Sequence, residues 1–143
     1  MKKVVIAAIA TILAVPAFAA ANNAIDKAAK EKGAVKTRSG MVYVSITDGK
    51  GKSPSAASTV EVNYRGTLTN GKEFDSSYKR HQSISFPLSG VIPCWTEGVQ
   101  MMKVGGKAKL VCPPELAYGS RGAGSDVPPN ATLIFEVELL NIK

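Results

Sequence analysis

Acid–base chemistry has little to draw on in this chain. There is one histidine, His81, in a polar stretch with no serine or cysteine placed beside it as a nucleophile. A nucleophile–base–orienter triad therefore finds no support. No glycine-rich loop stands between a strand and a helix to cradle a phosphate, and potential metal ligands do not cluster. The two cysteines, Cys94 and Cys112, supply neither a four-ligand set nor a Cys-x-x-Cys pair, which argues against metal or redox roles. No cofactor and no metal is expected. Basic residues outnumber acidic ones 18 to 11, for a net charge of +7, but they form no run of five or more. The excess reads as a solvated face rather than a nucleic-acid footprint. Long apolar runs are missing too: the longest, Val4 to Val15, falls short of the about 20 residues that a bilayer-crossing helix needs.

That short run has a different reading. Lys2-Lys3 precedes it and Pro16-Ala17-Phe18-Ala19 follows it, the basic, apolar and small-x-small succession of a secretory signal. Residues 1–19 are expected to be removed and the rest exported, most simply to a periplasm, with no stable membrane insertion. Losing Lys2 and Lys3 lowers the charge from +7 by two. Residues 20–36, rich in Ala and Lys with little apolar periodicity, read as a short lead-in, partly helical or disordered, ending near Gly33. Residues 37–143 are left as one domain.

The body of that domain is written mainly as strands. Val42, Val44 and Ile46 alternate with Tyr43, Ser45 and Thr47. From Thr59 to Leu68 the apolar residues keep a period of two: Val60, Val62, Tyr64, then Gly66 and Leu68. Asn70-Gly71 marks a tight hairpin that returns through Phe74 and Asp75. Ile84 to Leu88 looks like an edge strand broken by Pro87. Ala108, Leu110 and Cys112 share one face, as do Leu133, Phe135, Val137 and Leu139. Among these strands one helix is expected after Pro93, with Trp95, Val99 and Met102 on a single face and Gly105-Gly106 at its exit. Antiparallel strands around one short helix make an α+β fold.

Cys94 opens that helix and Cys112 closes the strand after it. The lengths of the two elements bring their ends side by side. A bridge and a pair of buried free thiols both remain open, and an exported protein permits the bridge. Trp95 is either core filler or the floor of an apolar pocket. Tyr64, Phe74, Val91, Ile92, Tyr118 and Phe135 could converge on it, with Asp75 and the tyrosine hydroxyls as orienting groups.

Three segments carry a specific resemblance: VNYRGTLTNGKEFDSS, GVIPCWTEGVQMMKVGGKAKLVCPPELAYG and VPPNATLIFEVELL. Together they make the chain similar, from about Thr37 to Lys143, to the FKBP-type peptidyl-prolyl cis-trans isomerases, and within them to exported bacterial members of the macrophage-infectivity-potentiator kind. The resemblance implies a strongly bent antiparallel sheet of five or six strands wrapped over the short helix. It also implies a site in which Trp95 lies under the substrate proline, with Tyr64, Phe74 and Phe135 at its sides. The Ile92 amide and Tyr118 hydroxyl would hold substrate carbonyls; Asp75 would accept from Tyr64 and pair with Arg80; Val91 would add to the lining and Val127 would close the rim. Ile84 stands where the family often has an aromatic, Cys94 where it often has glycine, and Asp126 in a loop that is often apolar. The implied activity is rotation about X-Pro bonds in exported polypeptides, with macrolide inhibitors as competing ligands. A holding chaperone using the same pocket with little turnover is the alternative. A monomer is expected, because relatives that dimerise do so through a long N-terminal helical domain.

Overall fold

The structure, a computed structural model, describes residues 17–143, with side chains from residue 23 onward. Most of the expected signal segment, residues 1–16, lies outside the described residues. The chain opens with helix α1 (Ala17–Ala29), followed by strands β1 (Ala34–Lys36), β2 (Val42–Thr47), β3 (Thr59–Leu68), β4 (Glu73–Ser76) and β5 (Ile84–Pro87). Helix α2 (Pro93–Val99), β6 (Lys107–Cys112) and β7 (Leu133–Ile142) complete it. The strands form a single antiparallel sheet of seven in the order β1-β2-β6-β7-β3-β4, with β5 also paired to β3. This is the wrapped α+β architecture expected, with β1 as one further strand.

The ten-residue strands β3 and β7 make the spine of the sheet, paired from Val60 opposite Ile142 to Leu68 opposite Leu133 with a register shift between Glu61 and Val62. The other edge of β3 is divided between two partners. Its first half pairs with β5, Val62 opposite Ile84, and its second half with β4, Gly66 opposite Asp75. Period-two alternation then decides the faces. Val60, Val62, Leu110, Val137 and Leu139 are fully buried against α2 on the concave side, together with Met41, Leu88, Val99 and Met102.

Helix α2 starts where Pro93, which has no N–H to be satisfied, occupies its first turn, and where Ile92 caps it in an extended conformation. It is shorter than the periodicity predicts. After Val99 the chain tightens, Met101 bonding to Gly98 and Met102 to Val99. These i to i−3 bonds still bring Met102 inside. Gly98 lets the helix lie close on the sheet, since a Cβ there would stand 2.8 Å from a Leu110 methyl. The open question about the thiols is resolved: Cys94 and Cys112 form a disulfide with their Cα atoms 5.8 Å apart. It joins the first turn of α2 to the last residue of β6, in the fully buried core.

The segment 20–36 is more ordered than its composition suggests. Residues 34–36, placed with the lead-in, pair with β2 as strand β1. Helix α1 lies on the convex side, where Ile25 and Ala28 are buried against Val42, Val44 and Val111 in a second apolar cluster. Ile25 and Ala28 stand at i and i+3, one helix face. The Lys109 ammonium donates to both Glu31 carboxylate oxygens at 2.6 and 2.7 Å, a surface pair that adds at most about 1 kcal/mol.

Candidate active site

The concave side of the sheet does not close over the start of α2, and a cavity of about 470 Å³ remains there. Its floor is Trp95, 5% exposed. Three rings stand around the indole. Tyr64 and Phe135 meet it edge-on, each with centroids 5.2 Å away and planes near perpendicular. Phe86 tilts against it at 5.3 Å. Edge-to-face contacts of this kind suit the ring quadrupoles and set the walls firmly. Val91 and Ile92, just before α2, form one side of the mouth, Ile84 another, and Tyr118 stands at the rim, 41% exposed.

Each wall follows from register. Alternation on β3 points Tyr64 inward with Val60 and Val62, and β7 points Phe135 inward opposite Gly66. Gly66 is what makes room for the aromatic wall. A Cβ there would lie 2.6 Å from Phe74 Cζ and 2.9 Å from Phe135 Cε1.

The polar edge is held by a tight network. The Tyr64 hydroxyl donates to Asp75 Oδ2. Arg80 donates to Asp75 Oδ1 at 2.6 Å and to the Tyr64 hydroxyl at 3.2 Å, and the Ser76 amide gives Asp75 a further bond at 2.9 Å. Partial burial pushes the Asp75 carboxyl up, but bonds from Tyr64, Arg80 and Ser76 together hold it below the usual range. Burial raises the Tyr64 phenol, and its bond to Asp75 adds to that rise. At neutral pH the edge is therefore a fixed carboxylate–guanidinium pair with a protonated phenol. It is a brace, with no group poised to exchange protons.

The structure brings Tyr64, Asp75, Ile84, Val91, Ile92, Trp95, Tyr118 and Phe135 together around the cavity. Three expected residues stand off its lining. Phe74 packs behind Phe135, ring centroids 5.7 Å apart. Arg80 sits behind Asp75 and Tyr64, its guanidinium 5.9 Å from the Tyr64 ring. Val127 is 3% exposed and belongs to the core cluster, not the rim. Its amide and carbonyl both bond to Ala123, in a tight bridge within the loop after β6. Neighbouring Asp126 is exposed. Two lining residues were missed: Phe86 and Gly90. Phe86 had a readable signal, since it stands two residues from Ile84 on one strand and shares its face. Among the described residues no group of three or more His, Cys, Asp or Glu could hold a metal.

The structure thus combines a bent antiparallel sheet over a short helix with an aromatic cup at the helix entrance. Residues 50–140 match the family of FKBP-type peptidyl-prolyl cis-trans isomerases. Over 118 residues the chain is 56% identical to the FKBP-type peptidyl-prolyl cis-trans isomerase FkpA of Escherichia coli K12, covering 82% of this chain and 43% of that one. It is 52% identical over 106 residues to FK506-binding protein 1 of Dictyostelium discoideum, covering 73% of this chain and 99% of the relative. The crystal structure of Escherichia coli FkpA superposes with a TM-score of 0.84 at 54% identity, over 87% of this chain and 58% of that one. A peptidyl-prolyl cis-trans isomerase of Pseudomonas syringae pv. tomato superposes equally well, TM-score 0.84 at 36% identity, over 90% and 97% of the two chains. The chain belongs to the FKBP-type peptidyl-prolyl cis-trans isomerase family. It spans less than half the length of the FkpA relative it matches.

Proposed function

We propose that this protein is a peptidyl-prolyl cis-trans isomerase acting on proline-containing segments of exported polypeptides. The observation that carries the proposal is the Trp95 floor walled by Tyr64, Phe86 and Phe135. A cup of this volume and apolar lining accepts a prolyl ring and its neighbouring peptide groups.

Rotation about an amide faces a barrier of roughly 18–20 kcal/mol, because resonance stiffens the C–N bond. X-Pro bonds populate both isomers yet exchange in tens to hundreds of seconds, slowly enough to limit folding. Lowering the barrier needs no bond to the protein. The planar amide carries more charge separation than the twisted one, so a dry apolar cup disfavours the former relative to the latter. The Tyr118 hydroxyl at the rim and the Ile92 amide at the mouth are placed to hold substrate carbonyls and fix the pose. Asp75 and Arg80 act by bracing Tyr64. Macrolide inhibitors of the family would compete for the same cup. The leader pattern before Ala19 and the disulfide support export to an oxidising compartment, most simply the periplasm.

The test is a protease-free isomerisation assay on X-Pro peptides, with and without a macrolide of the family. Turnover that the macrolide abolishes is expected. Tyr118→Phe should lower kcat/KM by about two- to tenfold, the worth of one hydrogen bond, with the circular dichroism unchanged. A folded protein that binds the macrolide yet turns over no peptide would overturn the isomerase reading and leave a holding site in its place.

A further inference from the structure

A second concavity adjoins the cup. It runs along the outer side of α2 and is lined by Val91, Pro93, Thr96, Glu97, Gln100 and Leu116, with Ser39 and Ser89 at its edges. Val91 lines both concavities, so the groove meets the mouth of the cup at that residue. Most of the lining is apolar or uncharged. Glu97 is its only charged side chain, half-buried, and receives a hydrogen bond from the Ser39 hydroxyl at 2.5 Å. The neighbouring polar groups have their donors turned to the protein itself. Thr96 Oγ1 donates to the Leu88 carbonyl at 2.6 Å, and the Gln100 amide nitrogen donates to the Thr96 carbonyl at 2.7 Å. What the groove presents to an occupant is an apolar channel with acceptors along its helix side, and one negative charge in a chain of net charge +7.

Resting on the isomerase reading, we propose that this groove is an extended substrate subsite. It takes the polypeptide that flanks the proline as that chain leaves the cup over Val91, and it selects for a lysine or arginine there through Glu97. The occupant is an extended segment, because a polypeptide with its proline seated on Trp95 must leave by the mouth. An extended chain advances about 3.3 Å per residue, so a few residues beyond the proline can lie along the groove. The apolar stem of a basic side chain suits Val91, Pro93 and Leu116 while its charged head reaches the carboxylate. An acidic side chain there would face Glu97 with no cation in the lining to offset it.

The experiment is a peptide series in which lysine, alanine or glutamate is walked along the positions on both sides of one X-Pro bond. kcat/KM is measured for the wild type, Glu97→Gln and Glu97→Lys at low and at high salt. At one or two positions the wild type should prefer lysine to glutamate by about two- to fivefold, the worth of a partly exposed ion pair. Salt should shrink the preference, Glu97→Gln should remove it and Glu97→Lys should reverse it. The all-alanine peptide should be turned over equally by all three proteins. If Glu97→Lys folds poorly, the Gln variant and the salt dependence decide. Good turnover with no charge preference at any position, or with a preference that survives both substitutions, overturns the subsite while leaving the isomerase reading intact. No turnover of any peptide by the folded wild type removes both.

Discussion

The Cys94–Cys112 bridge gives the sharpest energetic prediction. Its partners are 18 residues apart, and closing a loop of about that length restrains the unfolded chain by about 3 kcal/mol. Both cysteines are fully buried, so replacing them with alanine also removes core volume and adds to the loss rather than offsetting it. For a domain of this size, 3 kcal/mol corresponds to a fall in Tm of about 10–15 °C. The Cys94→Ala/Cys112→Ala variant should therefore melt at least that far below the wild type. Wild type unfolded and refolded with a strong reductant should follow it. A thiol count on unreduced, denatured wild type should find none free.

The same change has a local reading. Cys94 precedes Trp95, and the bridge fastens the first turn of α2, which carries the cup floor, to β6. Loss of the bridge should loosen the indole before the domain unfolds, so tryptophan fluorescence should shift at lower temperature than the far-ultraviolet circular dichroism. In the wild type the two probes should coincide. A Tm change of less than about 3 °C would refute the loop-closure argument, and coincident probes in the variant would refute the local one.

Two further outcomes follow from the cup. Gly66→Ala puts a methyl group where Phe74 and Phe135 now stand, so it should cost about 1–3 kcal/mol in denaturant unfolding. By driving Phe135 toward Trp95 it should also lower kcat/KM at least tenfold, and an alanine variant with wild-type stability and turnover would show that the close approach is illusory. Asp75, whose carboxyl is held below its usual range, contributes stability that is fully present above the unfolded value of about 3.9 and is lost as pH falls through the lower, folded value. The denaturant midpoint should therefore drop below about pH 4, and Asp75→Asn should flatten part of that drop; an identical acid limb in both proteins would contradict the brace.

The parts of this fold that were legible in the sequence are those where one face of an element is apolar and the other is not. Strand β3 shows Val60, Val62 and Tyr64 at every second place, and β7 shows Leu133, Phe135, Val137 and Leu139, so their inner faces are unambiguous. The convex cluster was harder to see. Among the described side chains of α1 Ile25 and Ala28 are buried, and alanine is too common in that segment for its burial to stand out. Strand β1 is three residues of Ala, Val and Lys, whose pairing depends on β2 lying beside them and not on their own pattern. The loop from Tyr118 to Val127 was misleading for a related reason. The family resemblance implies a rim position for Val127, and the bridge to Ala123 turns its side chain into the core. Phe86 is half-buried on an edge strand that Pro87 ends, so its place two residues from Ile84 is the one sign of its wall role.

The cup also explains why a protein would tolerate an unpaired donor in its interior. Trp95 Nε1 is buried and has no hydrogen-bond partner among the described protein groups. A polar side chain beside the indole would satisfy that donor, but it would also make the floor of the cup polar. Two nearby polar side chains are instead engaged elsewhere: Asp75 with Tyr64 and Arg80, Thr96 with the Leu88 carbonyl. The arrangement keeps polar side chains away from the indole and the cup floor apolar. That is the property a catalyst of amide rotation needs, and a catalyst of proton transfer does not.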